Sequence, residues 1–214
     1  MLRFLVFALP VAAVLLALAV TAQPPDNASG NICCQRDLIN YTVLSENGTS
    51  AGGKGVRRSI NAKFNLDFPK TRLSSKGSMV IFDESGIKNI EFWVITKSDK
   101  SIAIDEAQKS CGQIPLVWFP RFCVPSTAQK VGSYSYGPAG QTFQTDAYKF
   151  RLGDSDFFAT IAPDCTIINL VQAVTSPNGG SLVSSVLTDI QPTVDESAFE
   201  LPPYCKESFD STVA

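Results

Sequence analysis

The sequence predicts a mainly antiparallel β domain, and three observations carry that prediction. No segment from Gln23 to Ala214 sustains a helical period over several turns, whereas period-two alternation recurs. It is plainest where Ile60, Ala62, Phe64 and Leu66 alternate with Asn61, Lys63, Asn65 and Asp67. Polar, glycine-containing clusters punctuate the apolar runs, as turns do between strands. Six cysteines, an even set, are spread along the chain and read as a disulfide frame.

The opening residues predict the compartment. Met1 to Arg3 precede an apolar run from Phe4 to Val20, and Val20, Thr21 and Ala22 supply the small residues of a cleavage site. Residues 1–22 therefore read as a signal peptide, with Gln23 the first mature residue. The run contains Pro10, has no basic flank after it, and is shorter than the roughly 20 residues a bilayer span needs. A secreted, extracellular protein in an oxidising compartment is expected to hold its six cysteines as up to three disulfides, each contributing about 2 to 4 kcal/mol. A formal net charge of −2 gives no electrostatic reason to expect nucleic acid or an anionic membrane as partner.

Three sequons follow, at Asn27, Asn40 and Asn47, and predict a solvent-facing, glycosylated N-terminal region that begins with residues 23–32. The run Ser45 to Ser59, polar and glycine-rich, reads as a solvated loop. The first strand runs from Ile60 to Leu66. Ser78 to Phe82 and Lys88 to Thr96 form a hairpin about a turn at Asp83 to Gly86. In its second strand Phe92 and Trp93 fall on opposite faces, and a face carrying Trp93 and Ile95 is not an ordinary wet one. Ser101 to Ile104 is a further short strand, and Asp105 to Ser110 a polar segment long enough for one helical turn.

Gln113 to Ala128 holds three prolines and several large apolar residues around Cys123, which excludes an interior strand throughout and predicts an apolar loop packed over something. Gly132 to Gln141 reads as a second loop. Thr142 to Leu152, Phe157 to Ala162, Thr166 to Thr175 and Ser184 to Ile190 are β-rich, with turns at Gly153 to Asp156 and Ser176 to Gly180. Residues 206–214 read as a flexible tail.

The order of these features resembles the ependymins and ependymin-related proteins, in a form nearer the invertebrate members. The resemblance spans about residues 33–205. It rests on a cysteine near the mature N-terminus, Cys111 after a hairpin region, an aromatic and proline segment leading into Pro125 to Ala128, Asp164-Cys165, Ile190-Gln191-Pro192 and the run Phe199 to Cys205. It implies a secreted, disulfide-bonded glycoprotein with two curved antiparallel sheets stacked around an apolar pocket, similar to bacterial lipoprotein carriers. Relatives dimerise, associate with calcium and extracellular matrix, and include lysosomal members. It also implies pairing of Cys111 with Cys205 and of Cys33 or Cys34 with Cys165, leaving the other adjacent cysteine for Cys123.

Read from the residues alone, Phe92, Trp93, Trp118, Phe119 and Phe122 fill a core between two sheets; with the resemblance they are expected to line a pocket for an apolar or lipid-like ligand. The chain has no histidine, which excludes Ser-His-Asp and Cys-His catalysis and every histidine-containing zinc site, and no enzyme is expected. No organic cofactor is expected either. Calcium is the better use of the turn acids, with Asp154 and Asp156 the candidate ligands, although their spacing is not that of an EF-hand loop. The competing reading is a structural, adhesive or signalling glycoprotein whose pocket is incidental.

Overall fold

A computed structural model describes residues 31–117, 121–138, 140–177 and 179–205. The fold is mainly β, with two antiparallel sheets of very unequal size. Strands β2 (Leu38–Ala51), β3 (Lys54–Asp67), β4 (Arg72–Asp83), β5 (Gly86–Lys97), β6 (Lys100–Asp105) and β7 (Ser110–Ile114) form one meander. Strands β9 (Gln129–Tyr136), β10 (Phe143–Leu152), β11 (Ser155–Ile161), β12 (Ile167–Ser176) and β13 (Gly179–Gln191) form another. Pairing of β2 with β13 joins them into one sheet of 11 strands, in the order β7-β6-β5-β4-β3-β2-β13-β12-β11-β10-β9. The second sheet is a ribbon of two strands, β1 (Asn31–Cys34) and β8 (Cys123–Pro125).

Side chains alternate across a strand, so register assigns the faces. One face carries Val43 of β2, Ala62 and Phe64 of β3, Met79 and Ile81 of β4, Phe92 and Val94 of β5, Leu187 of β13, Phe157 and Ala159 of β11, and Phe150 of β10. All of these belong to the main core, together with Val124 of the ribbon. Open sheets of this size curl, and the segment after β7 fixes the direction. Val117 is held over β5 and β6: the Thr96 hydroxyl donates to its carbonyl at 2.8 Å, and its amide donates to Ser101 Oγ at 2.7 Å. Phe122, in the same segment, places its ring 5.9 Å from Phe150 and 6.1 Å from Phe157. Five extended residues reach about 18 Å, whereas β5 and β10 in a flat sheet would be about 34 Å apart. The sheet is therefore rolled with this face concave.

All six cysteines are oxidised, in the pairs Cys33–Cys165, Cys34–Cys123 and Cys111–Cys205. The choice left open at the adjacent cysteines follows from strand geometry, since neighbouring residues of β1 point to opposite sides. Cys34 faces its register partner Cys123, with Cα atoms 4.0 Å apart, and Cys33 reaches the turn between β11 and β12. An Arg36–Asp164 ion pair at 2.9 Å lies beside that second link.

The wet-face puzzle at Trp93 is resolved by the C-terminal segment. Trp93, Ile95, Ile102 and Ile104 lie on the convex face and form a second core with Leu201, Tyr204 and the Cys111–Cys205 bridge. A 3-10 turn at Glu196–Phe199 inserts Phe199, 1% exposed, beneath Arg72, whose guanidinium lies 4.3 Å from the ring centre and bonds both Asp67 and Glu196.

Several expected boundaries change. The run Ser45 to Ser59 is two long paired strands, with a reversal only at Gly52 and Gly53, because Ser45, Asn47 and Thr49 keep period-two alternation with small polar side chains. Gly132 to Gln141 is not a loop throughout, since β9 extends to Tyr136 as an exposed edge strand. Asp105 to Ser110 is a turn rather than a helix, with Asp105 Oδ1 accepting from the Gln108 amide at 2.9 Å.

Two substitutions test this packing. Gly77 lies opposite Ala62, and an added methyl would sit 2.5 Å from the Ala62 Cβ and collide with the Asn61 carbonyl. Gly77→Ala is expected to destabilise by about 1 to 3 kcal/mol through overpacking. Phe199→Ala, which empties the site under Arg72, is expected to cost about 3 to 5 kcal/mol. Urea midpoints check both, with the exposed Leu182→Ser as a near-neutral control.

Candidate ligand site on the concave face

The concave face is not uniformly apolar. Register lays Ile81, Arg58, Asn47, Val183, Gln172, Phe157 and Phe150 in one row across β4, β3, β2, β13, β12, β11 and β10. The adjoining row runs Met79, Ile60, Ser45, Ser185, Leu170, Ala159 and Tyr148. Some of the polar members satisfy one another: Ser185 Oγ donates to Ser45 Oγ at 2.9 Å, and Gln172 Nε2 donates to Ser155 Oγ at 3.0 Å. Others do not. Asn47 Oδ1 and Arg58 Nε are buried without a hydrogen-bond partner, as is Ser75 Oγ farther along the same face. A buried polar atom without a partner costs about 1 to 3 kcal/mol, a cost that leucine or valine at these positions would avoid. The face thus combines buried aromatic and aliphatic side chains with a few buried polar atoms left without a partner.

The expected pocket aromatics separate. Phe92 is buried in the main core on the concave face, and Phe122 packs on Phe150 and Phe157. Trp93 faces the other way, with Lys76 Nζ 4.4 Å from its ring, so Phe92 and Trp93 cannot line one cavity. Trp118 and Phe119 lie outside the described residues.

Two of the expected glycan acceptors lie inside the fold. Asn40 and Asn47 are 8% and 2% exposed within β2, so neither side chain points out to solvent as a glycan acceptor would. Asn40 also commits its Nδ2, the nitrogen a glycan would occupy, to the Thr193 carbonyl at 2.9 Å. Asn27 lies outside the described residues. Asp154 and Asp156 sit exposed at the β10–β11 hairpin, and among the described residues no group of three or more acidic or cysteine side chains is placed to hold a metal ion.

Sequence reasoning missed Asn47 and Arg58 because it placed them in a loop; the alternation running from Ile60 back to Val56 was the available signal. It also missed an open cleft of about 640 Å³ on the convex side at the hairpin tips, walled by Arg57, Phe82, Ala173 and Leu182 and floored by Gly48 and Gly55. Added Cβ atoms at those two glycines would meet nothing within 4 Å. Tyr41, partly buried and stacked 5.5 Å from Phe64, has its phenol pushed well above the ordinary tyrosine range by desolvation.

No family model matches the chain, and no curated protein matches it. Among solved structures it is similar to a DUF1329 family protein from Desulfovibrio piger, at 8% identity and a TM-score of 0.29, covering 89% of this chain and 95% of that one. It is also similar to MucB in complex with MucA(peri), at 10% identity and a TM-score of 0.14, and to the MucA/MucB complex of Pseudomonas aeruginosa, at 12% and 0.15. Each of these covers 73% of this chain and 94% of the other.

Burial of the two sequons makes a direct prediction. In chain expressed through a eukaryotic secretory route, glycopeptide mapping of the folded protein is expected to find Asn40 and Asn47 unmodified. A glycan on Asn47 in folded protein would contradict the inward orientation of that face.

Proposed function

We propose that this chain is a non-catalytic binder that takes up an apolar or amphipathic small molecule, lipid-like in character, against the concave face of its large sheet. The observation that carries the reading is the pairing of the apolar side chains of Ile60, Met79, Phe150 and Phe157 with two buried polar atoms that lack a partner, Asn47 Oδ1 and Arg58 Nε. A face that served only as core would gain stability by losing those polar groups. Phe122, next to the Cys34–Cys123 link, packs on Phe150 and Phe157 and so covers part of this face.

The rest of the expected ependymin-type description belongs to the same proposal. Secretion is supported by three disulfides, which persist in oxidising compartments. The non-catalytic reading is supported by the lack of histidine and by the oxidation of every cysteine. Calcium association and adhesion to extracellular matrix rest on the resemblance alone, and no step here is routed through calcium. The competing reading, an adhesive or signalling glycoprotein, is favoured by one observation: Leu44, Val186, Leu182 and Phe158 are all exposed on the convex face, with Leu44 and Val186 side by side across the β2–β13 seam, a surface suited to a protein partner or a second copy.

Purified full-length chain, examined by native mass spectrometry before and after solvent extraction, is expected to lose a bound apolar molecule of a few hundred daltons and then to bind a neutral apolar dye. A mass equal to the bare polypeptide plus glycans before extraction, with no dye uptake afterwards, would sink the carrier reading. Retained binding to collagen in that case would favour the adhesive one.

A further inference from the structure

Arg57 and Arg58 are adjacent in β3, yet their environments are opposite. Arg57 points to the convex side, pairs with Glu46 at 2.9 Å and lies 5.5 Å over the Phe82 ring. Arg58 points to the concave side, between Asn47 on β2 and Ile81 on β4, with Val56 and Ile60 before and after it on the same face. Among the described residues no carboxylate forms an ion pair with it. Its Nε is buried and donates to nothing, and the Oδ1 of its cross-strand neighbour Asn47, a residue 2% exposed, accepts from nothing.

Arg58 is half-buried, and a guanidinium nitrogen shut away from water without a partner is unfavourable, a cost that an anion beside it would relieve. The fork of the guanidinium matches a carboxylate or phosphate, and charge-assisted bonds of that kind are about twice as strong as neutral ones. Asn47 adds an amide edge able to donate as well as accept, since its oxygen and nitrogen are interchangeable by a flip. We infer that Arg58 and Asn47 form the head-group subsite of the concave face, selecting amphiphiles that end in an oxyanion, carboxylate or phosphate, while the chain lies along Ile60, Met79 and Phe92. This rests on the proposed uptake of an amphiphile by that face, and it adds the chemical class.

The test uses the delipidated full chain loaded with a neutral naphthylamine dye, and titrates palmitate, hexadecyl phosphate, hexadecanol and inorganic phosphate. Palmitate and hexadecyl phosphate are expected to displace the dye at about tenfold lower concentration than hexadecanol, the scale of one charge-assisted contact, with inorganic phosphate displacing none. Arg58→Met is expected to erase that advantage and leave hexadecanol unchanged. Asn47→Asp, which seats a carboxylate beside Arg58, is expected to do the same and serves if the first variant does not fold. Equal displacement by acid and alcohol in the native protein overturns the subsite while leaving amphiphile binding intact. An advantage that survives in both variants also overturns it, by placing the anion elsewhere. If inorganic phosphate cancels the palmitate advantage at hexadecyl phosphate concentrations, the site takes free anions and the inference fails. Failure of every amphiphile to displace the dye removes the uptake proposal as well.

Discussion

The roll of the eleven-stranded sheet is the constraint on which the other features depend. Two meanders, β2 to β7 and β9 to β13, meet along the β2–β13 seam, and nothing in that pairing alone fixes which face becomes the inside. The segment from Val117 to Phe122 fixes it, by being too short to bridge an unrolled sheet between its hydrogen bonds at Thr96 and Ser101 and its ring contacts at Phe150 and Phe157. Two disulfides then hold β1 and β8 over the concave side, closing sequence separations of 132 and 89 residues, where loop-closure entropy gives a cross-link most of its effect.

Rolling gives the two faces different tasks. Over β4 to β6 the convex side is sealed by the C-terminal segment, through Phe199 under Arg72 and through the Cys111–Cys205 bridge against Trp93, Ile95 and Ile102. That seal lets β5 bury both of its faces, and so Phe92 and Trp93 both carry large rings with no shared cavity. The concave side retains polar atoms that packing has not satisfied, at Asn47, Arg58 and Ser75, and the convex side retains one at Asn169. In a marginally stable domain such groups persist where something other than stability favours them, and a ligand is the physical candidate.

Much of the fold was legible in the sequence. The antiparallel β class, the hairpin around Asp83 to Gly86, the strands of the last third and the two-faced character of Lys88 to Thr96 follow from alternation and turn chemistry. What was hidden had identifiable causes. The start of β3 and most of β2 alternate serine, asparagine, threonine and glycine, which read as loop in isolation and become strand only through pairing along their full length. The sequon at Asn47 followed the same misreading, since an asparagine is a glycan acceptor only where the fold turns it outward. The candidate head-group pair was hidden too: nothing local distinguishes Arg58 from Arg57, and only register does.

The central claim is that the concave face holds the ligand. Photolabelling the delipidated protein with a diazirine-bearing fatty acid, followed by peptide sequencing of the adducts, tests it most directly. Adducts at Ile60, Met79, Phe150 or Phe157, suppressed by unlabelled palmitate, are the predicted result. Adducts confined to Leu44, Leu182, Val186 or Phe158 on the convex side would contradict it.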